Sequence, residues 1–506
     1  MARKLVFTIL SFLIFLIVIE SAARLFESYL KSPDGEEAIG PGWQAEFFGG
    51  ILDWHENDPY LLWKFKANLN NPLIKTNSHH FLGPDFETEK PPETFRIMIL
   101  GDSSPVGLGL KSRAETFDTK LRLMLQQEYA GVKNIEVINA AVSGYTSEQI
   151  KIFCEREAFK YEPDLIILYC GNNDASISGY YSDRELLESQ QFQAIRKTLA
   201  NLALYRLTEA LLADRGKPES GWDLKIRVTP REYFENISRI EEICSYHNTP
   251  LIVLKPPVPY LWPAAVQFKP FLHTTGESGE YIFPEELSKF LNKKILYCTV
   301  NDSHKAENSR DAFTRAVIES IYDDGLESDS GIAYYESLLE ENPNDPVLLN
   351  NLGVSYWKGD HYREASQYID SALKVFEKSN RENQTCLTKS VRAIFQYNLF
   401  WPVEAVQSVS FMPGDPRMFT DTLLGGRPLL DSALQNDYLS LRIKREYWNA
   451  LDNLKAKHNV TVVDLPLIFK MNGWENLFVD HCHPTTEGHS IIAKEIYETI
   501  KSRYAP

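Results

Sequence analysis

Short apolar runs that end at turn residues recur along the chain, separated by stretches with helical spacing. Ile97-Met98-Ile99-Leu100 ends at Gly101, and similar runs follow at Ile135 to Ala140, Leu165 to Cys170, Pro250 to Leu254 and Val460 to Leu465. Runs of this length without polar alternation suit parallel strands buried on both faces. Apolar positions at helical spacing fill the intervals near 116–129, 147–160, 231–246 and 486–503. Strands that alternate with helices predict an α/β domain whose parallel sheet is covered on both sides. Ligands of such open sheets lie beyond the carboxyl ends of the strands.

The pattern is interrupted once. Residues 93–282 supply the first four strands and 436–506 the fifth, and a long helical stretch at 283–435 separates them. Within it, Asn350-Asn351-Leu352-Gly353, Tyr356, Gly359, Tyr362, Ala365, Tyr368, Ala372 and Leu373 match the small and large positions of a tetratricopeptide repeat. Small residues there let the two helices of a hairpin approach closely. A helix at Gly331–Glu340, ending before Asn342-Pro343, resembles the second half of a preceding repeat. The insertion reads equally as architecture and as a groove for a protein partner.

Ahead of the sheet, residues 1–31 carry Arg3 and Lys4, then an apolar run from Leu5 to Ile19. That run spans about 22 Å as a helix, against roughly 30 Å of bilayer hydrocarbon. Helical spacing continues through Leu25, Phe26, Tyr29 and Leu30, which favours an uncleaved single-pass membrane anchor. Its start would face the cytoplasm and the body would lie outside. Ser21-Ala22-Ala23 offers a cleavage site for the alternative, a secreted or periplasmic protein. Residues 32–92, rich in Pro, Gly, Asn and Trp, read as a linker and a packed irregular arm.

Charge and cysteine content narrow the possibilities. A net charge of -16 argues against a nucleic-acid partner, which calls for a basic face. Six cysteines without CxxC spacing form no metal framework, and their pairing, if any, is open. His481, Cys482 and His483 are adjacent, and alternate directions along an extended segment keep one ion from collecting all three. No metal or organic cofactor is expected.

Four small motifs fall just past predicted strands or before the last helix. Gly101-Asp102-Ser103-Ser104 puts a serine on a tight turn at a strand end. Gly144, past the second strand, lets backbone approach a substrate oxygen. Asn173, in Gly171-Asn172-Asn173-Asp174, offers an amide donor for developing negative charge. In Asp480-His481-Cys482-His483-Pro484, a carboxylate three residues before His483 can hold its imidazole toward the serine. Asp102 and Asp174 read as turn-stabilising residues, and His79 and His80 as surface residues.

Together these blocks resemble the SGNH (GDSL-like) hydrolase family, whose blocks carry Ser, Gly, Asn and His. The resemblance covers about residues 93–260 and 438–503, and the arm at 58–96 looks like that of bacterial membrane-anchored members. It implies a flavodoxin-like three-layer α/β sandwich with a parallel sheet. It also implies a catalytic triad of Ser103, Asp480 and His483, and an oxyanion hole from Ser103, Gly144 and Asn173. The expected substrate is an O-acyl ester, on a glycan or a lipid, with hydrolysis or acyl transfer as the outcome. A tethered scaffold with a vestigial site is the reading of a different class. Two features depart from the family: Ser104, where a larger residue is common, and the insertion. Segment 175–215 reads as a lid or as an extra packing helix.

Overall fold

The computed structural model describes residues 14–26, 54–58, 60–179, 182–188, 202–205, 225–260, 273–274, 281–282, 328–381, 386–407, 428–438 and 442–505. The chain divides into two compact units, Met1–Lys64 with Glu185–Asp223, and Phe65–Arg184 with Leu224–Pro506.

The second unit is built on five parallel strands: β1 (Thr94–Gly101), β2 (Asn134–Asn139), β3 (Leu165–Tyr169), β4 (Leu251–Lys255) and β5 (Val460–Asp464). Their order across the sheet is β2-β1-β3-β4-β5. This is a doubly wound arrangement that reverses direction between β1 and β3, where ligand crevices open. Every residue of β3 and of β4 is buried, as expected of strands covered on both faces.

Helices α1 (Phe117–Glu128), α2 (Ser147–Arg156) and α3 (Pro230–Tyr246) follow β1, β2 and β3 in turn, in the pattern the sequence predicts. The insertion contributes α4 (Ser328–Glu341), α5 (Pro346–Lys358), α6 (Tyr362–Ser379), α7 (Cys386–Gln407) and α8 (Pro428–Asn436). Then come α9 (Arg445–Asp452), α10 (Leu465–Met471) and the closing α11 (Thr486–Arg503). One face of the sheet, with Ile97, Ile99, Ile167 and Ile252, packs against Phe117 and Leu121 of α1 and Ile492 and Ile496 of α11. Alternation turns Met98, Leu100, Ile166 and Val253 to the opposite face. All four are buried there, on the side of the packed pair α2 and α3.

Gly353 of α5 lies against α6, where an added Cβ would come within 2.5 Å of Ile369 Cγ1 and 3.1 Å of the Ala365 carbonyl. The consecutive insertion helices share one apolar core that includes Leu352, Ile369, Phe376 and Phe395. Much of 283–435 and of the expected lid at 175–215 lies outside the described residues.

The arm ahead of β1 is fastened by Arg96, whose side chain is fully buried. Its guanidinium donates to the carbonyls of Glu87 (2.8 Å), Thr88 (3.0 Å) and Tyr161 (2.7 Å) and pairs with Glu136 at 2.7 Å. His79 and His80, expected at the surface, are half-buried. The His79 ring stacks on Phe86, and His80 Nδ1 lies 2.9 Å from the Phe65 carbonyl.

In the first unit, the membrane anchor expected at 1–31 is corrected. No helix among the described residues is long and apolar enough to cross a membrane. The described residues 14–26 are helical and carry Glu20 and Arg24, paired at 2.8 Å. The Glu20 carboxylate also accepts the Ala203 and Leu204 N–H groups, at 2.8 and 3.1 Å. An ion pair inside the span is costly in hydrocarbon. The expected single-pass localisation is corrected with the anchor.

Candidate active site

β1 ends in a turn that only glycine fits: a Cβ on Gly101 would collide with the Tyr169 carbonyl. Asp102 follows with extended backbone, and its carboxylate accepts the Ser104 N–H at 2.9 Å. Ser103 therefore opens the short helix Ser103–Val106, at the carboxyl end of the sheet beside the point where the winding reverses.

The opposite wall comes from the far end of the chain. Between Phe478 and Pro484 the backbone folds back on itself, with the Val479 N–H donating to the His483 carbonyl at 2.9 Å. One carboxylate oxygen of Asp480 accepts the N–H groups of Cys482 (2.9 Å) and His483 (2.8 Å). Its other oxygen lies 2.6 Å from His483 Nδ1, and His483 Nε2 lies 2.8 Å from Ser103 Oγ. An ionised carboxylate only accepts, so Nδ1 donates and the neutral ring keeps Nε2 free to accept from the serine. Ser103, His483 and Asp480 are thus joined in one line of hydrogen bonds, each less than a tenth exposed.

Burial alone would favour a neutral His483 ring, but the Asp480 carboxylate outweighs it and pushes the pKa well above the ordinary value. Asp480 is held well below the usual carboxylate range, because the His483 and His481 charges overcome its own desolvation. Burial pushes Asp102 up to about 6, against the Ser104 N–H and the His483 charge.

Gly144 lies past β2 with φ +82°, a backbone shape that favours glycine. Asn173 lies past β3, and its side-chain amide donates to the carbonyl of Tyr145 at 3.0 Å. This bond ties the second and third sequence blocks together. It uses one of the amide's two N–H groups, leaving the other for a ligand. Asp174 accepts the backbone N–H and the hydroxyl of Ser147, at 2.9 and 2.5 Å, which anchors the start of α2. Burial pushes its pKa up to about 7.

Donor atoms of Asp480, His481 and Cys482 lie within 4.8 Å of one another. This set has Asp480 in place of His483, so it is not the trio of His481, Cys482 and His483 weighed from the sequence. Its chemistry suits hydrogen bonding: both Asp480 oxygens are engaged, and burial pushes the Cys482 thiol up to about 11. An ion held there would draw Asp480 from His483. Cys154, Cys170, Cys244 and Cys482 are buried free thiols.

No protein-family model matches the chain, and no curated protein matches it. Solved structures do. One, titled "Crystal Structure of TesA", is 16% identical over 32% of this chain and 62% of its own, with a TM-score of 0.21. A mutant of esterase AlinE4 is 20% identical over 33% of this chain and 60% of its own, at 0.20. A lipase/acylhydrolase from Enterococcus faecalis is 19% identical over 40% of this chain and 68% of its own, at 0.19. The chain spans about three fifths of the length of the first two.

Two further polar residues join distant parts of the chain. Asn172 accepts the Ile443 N–H through its side-chain oxygen at 3.0 Å, a contact across 271 positions. His489, in α11, accepts the Phe117 N–H at 3.1 Å. Helical spacing places His489 on the inner face of α11, which is the one sequence signal that marks it.

Proposed function

We propose that this chain is a serine hydrolase acting on ester bonds. The observation that carries the reading is the line of hydrogen bonds from Ser103 through His483 to Asp480. The neutral His483 ring takes the Ser103 proton as Oγ attacks the ester carbonyl, forming the C–O bond of a tetrahedral intermediate. The imidazolium so formed is stabilised by Asp480. Negative charge on the former carbonyl oxygen is met by the Ser103 and Gly144 backbone N–H groups and the free N–H of the Asn173 amide. His483 then protonates the departing alcohol. Water, activated by the same ring, releases the acid and restores the serine; a second alcohol in place of water would make the reaction acyl transfer.

The three oxyanion donors stand on the loops after β1, β2 and β3, so three neighbouring strands of one sheet set their relative positions. Lipid or small-ester substrates fit this chemistry. An O-acylated polysaccharide fits it equally.

A fluorophosphonate probe tests the reading. Wild-type chain is expected to label, and Ser103→Ala and His483→Ala to lose labelling while keeping the same circular dichroism. A folded wild type that takes up no probe and cleaves no p-nitrophenyl ester would overturn it.

A further inference from the structure

The chain that leads from the insertion back toward the sheet carries three charged side chains with almost no exposure: Asp437 at 1%, Arg442 at 2% and Lys444 at 2%. Burying a charge is costly unless it is paired and hydrogen-bonded, so the bonds these residues make show what they hold. Arg442 pairs with Asp437 at 2.9 Å and donates to the Pro259 carbonyl, just past β4, at 3.3 Å. Lys444 donates to the Leu434 carbonyl in α8 at 2.9 Å and to that of Asp437. The last helix of the insertion is therefore clasped to the residues that follow it, and both are clasped to the end of β4.

Between the two cations sits Ile443. Its N–H donates to the side-chain oxygen of Asn172 at 3.0 Å. Its side chain lies against Gly171, where an added Cβ would stand 2.5 Å from Ile443 Cδ1. Gly171 has φ +140°, which favours glycine on its own account. The same loop is braced from α3 by Tyr233, whose hydroxyl donates to the Cys170 carbonyl at 2.9 Å. The Asn172 side-chain nitrogen has no partner among the described residues, so the Ile443 bond is what orients that amide. The clasp also borders the other half of the site: His481, next to Asp480, feels the charges of both Arg442 and Asp437.

We propose that Arg442 and Ile443 are positioning residues for the oxyanion donor Asn173, acting through Asn172, so that the helical insertion helps set turnover at the site. This rests on the oxyanion role of Asn173 given above. The route is short. The Arg442–Asp437 pair fixes the backbone at 443, that backbone fixes the Asn172 amide, and Asn172 shares a peptide bond with Asn173. Hydrogen bonds weaken steeply with misalignment, and a displacement of about 1 Å in a positioned group costs up to about 10²-fold in rate. A binder that shifted α8 would reach Asn173 along this path.

A double-mutant cycle on the full chain tests it, with ester turnover as the readout. Asn172→Ala, which leaves no buried charge behind, is expected to lower kcat by about tenfold or more with KM within about twofold. Arg442→Ala should do the same, with partial rescue in Arg442→Lys. The acid limb of the pH profile, which belongs to His483, should not move in Asn172→Ala, which changes no charge. In an Asn173→Ala background, Asn172→Ala should cost no more than about twofold, because the donor it aligns is gone. Full additivity in the cycle, or unchanged kcat in Asn172→Ala, overturns the proposal. The underlying oxyanion reading fails separately, if Asn173→Ala alone keeps wild-type turnover.

Discussion

The ring of His489 in α11 accepts the backbone N–H of Phe117, the first residue of α1, at 3.1 Å. A helix start leaves such donors unsatisfied, so a side chain from near the end of the chain completes the first turn of a helix hundreds of residues earlier. The accepting nitrogen must be unprotonated. Burial, with the Lys120 and Arg113 charges nearby, holds the His489 pKa down to about 3. The folded value is below the unfolded one of about 6.5, so the native state binds fewer protons between them. The stability from this group is fully present above about pH 6.5 and lost as the pH falls toward 3. His489→Gln keeps an acceptor that cannot be protonated. Urea unfolding should show a stability loss near neutrality that shrinks or reverses near pH 4.5. A loss of equal size at both pH values would exclude this linkage.

Catalysis should show a pH dependence of its own. The base form of His483 is the neutral ring, and Asp480 pushes that ring's pKa well above its ordinary value. The acid limb of kcat/KM should therefore lie above about 6.5, with activity rising as the ring deprotonates. Asp480→Asn removes the stabilised imidazolium. It should lower kcat by roughly 10²–10⁴ and move the acid limb to lower pH. An acid limb that stays in place would mean that another group titrates.

Close approach of α5 and α6 makes Gly353 a sensitive point. An added Cβ meets Ile369 at 2.5 Å and backbone of Ala365 at 3.1 Å. Overpacking of this kind typically costs about 1–3 kcal/mol, more than the roughly 1 kcal/mol that alanine gains in a helix. Gly353→Ala should lower the unfolding midpoint. A higher midpoint would show that the helices can part freely.

Arg96 should be among the most sensitive positions in the second unit. Its removal leaves the Glu136 carboxylate and three carbonyls without their donor. Breaking a buried pair in this way typically costs about 3–5 kcal/mol. Arg96→Ala measured by denaturant titration at neutral pH should fall in that range; a cost below about 1 kcal/mol would mean that water replaces the guanidinium.

The sheet and the line Ser103–His483–Asp480 were legible because their signals are local. Ile97 to Leu100 and Leu165 to Tyr169 are apolar at every position, which only a strand covered on both faces explains. Asp480 and His483 are three residues apart, so one turn can join them. Gly353 and Ala365 showed as small residues in a helical pattern for the same reason. Long-range polar contacts left no such trace. Arg96 reads as a polar break in a strand, and Ile443 as an ordinary apolar residue. Nothing in the spacing pairs Ile443 with Asn172, 271 positions away. The amino-terminal helix misled because hydropathy registers the run to Ile19 but not the Glu20–Arg24 pair that follows it.

The insertion has a consequence for how the molecule is made. Ser103 and His483 are 380 residues apart in sequence. At a synthesis rate of about 5–20 residues per second, the ribosome needs roughly 20–80 s between them. For roughly 10–40 s of that interval, from Lys255 to Val460, β4 has no partner on one side, because β5 is still to come. An exposed row of parallel-strand donors and acceptors is a template for joining other chains. A nascent molecule is thus both inert and adhesive until its last segment emerges. Yield in the cell should depend on how quickly translation passes the insertion, and on chaperones that shield Leu251–Lys255 until then.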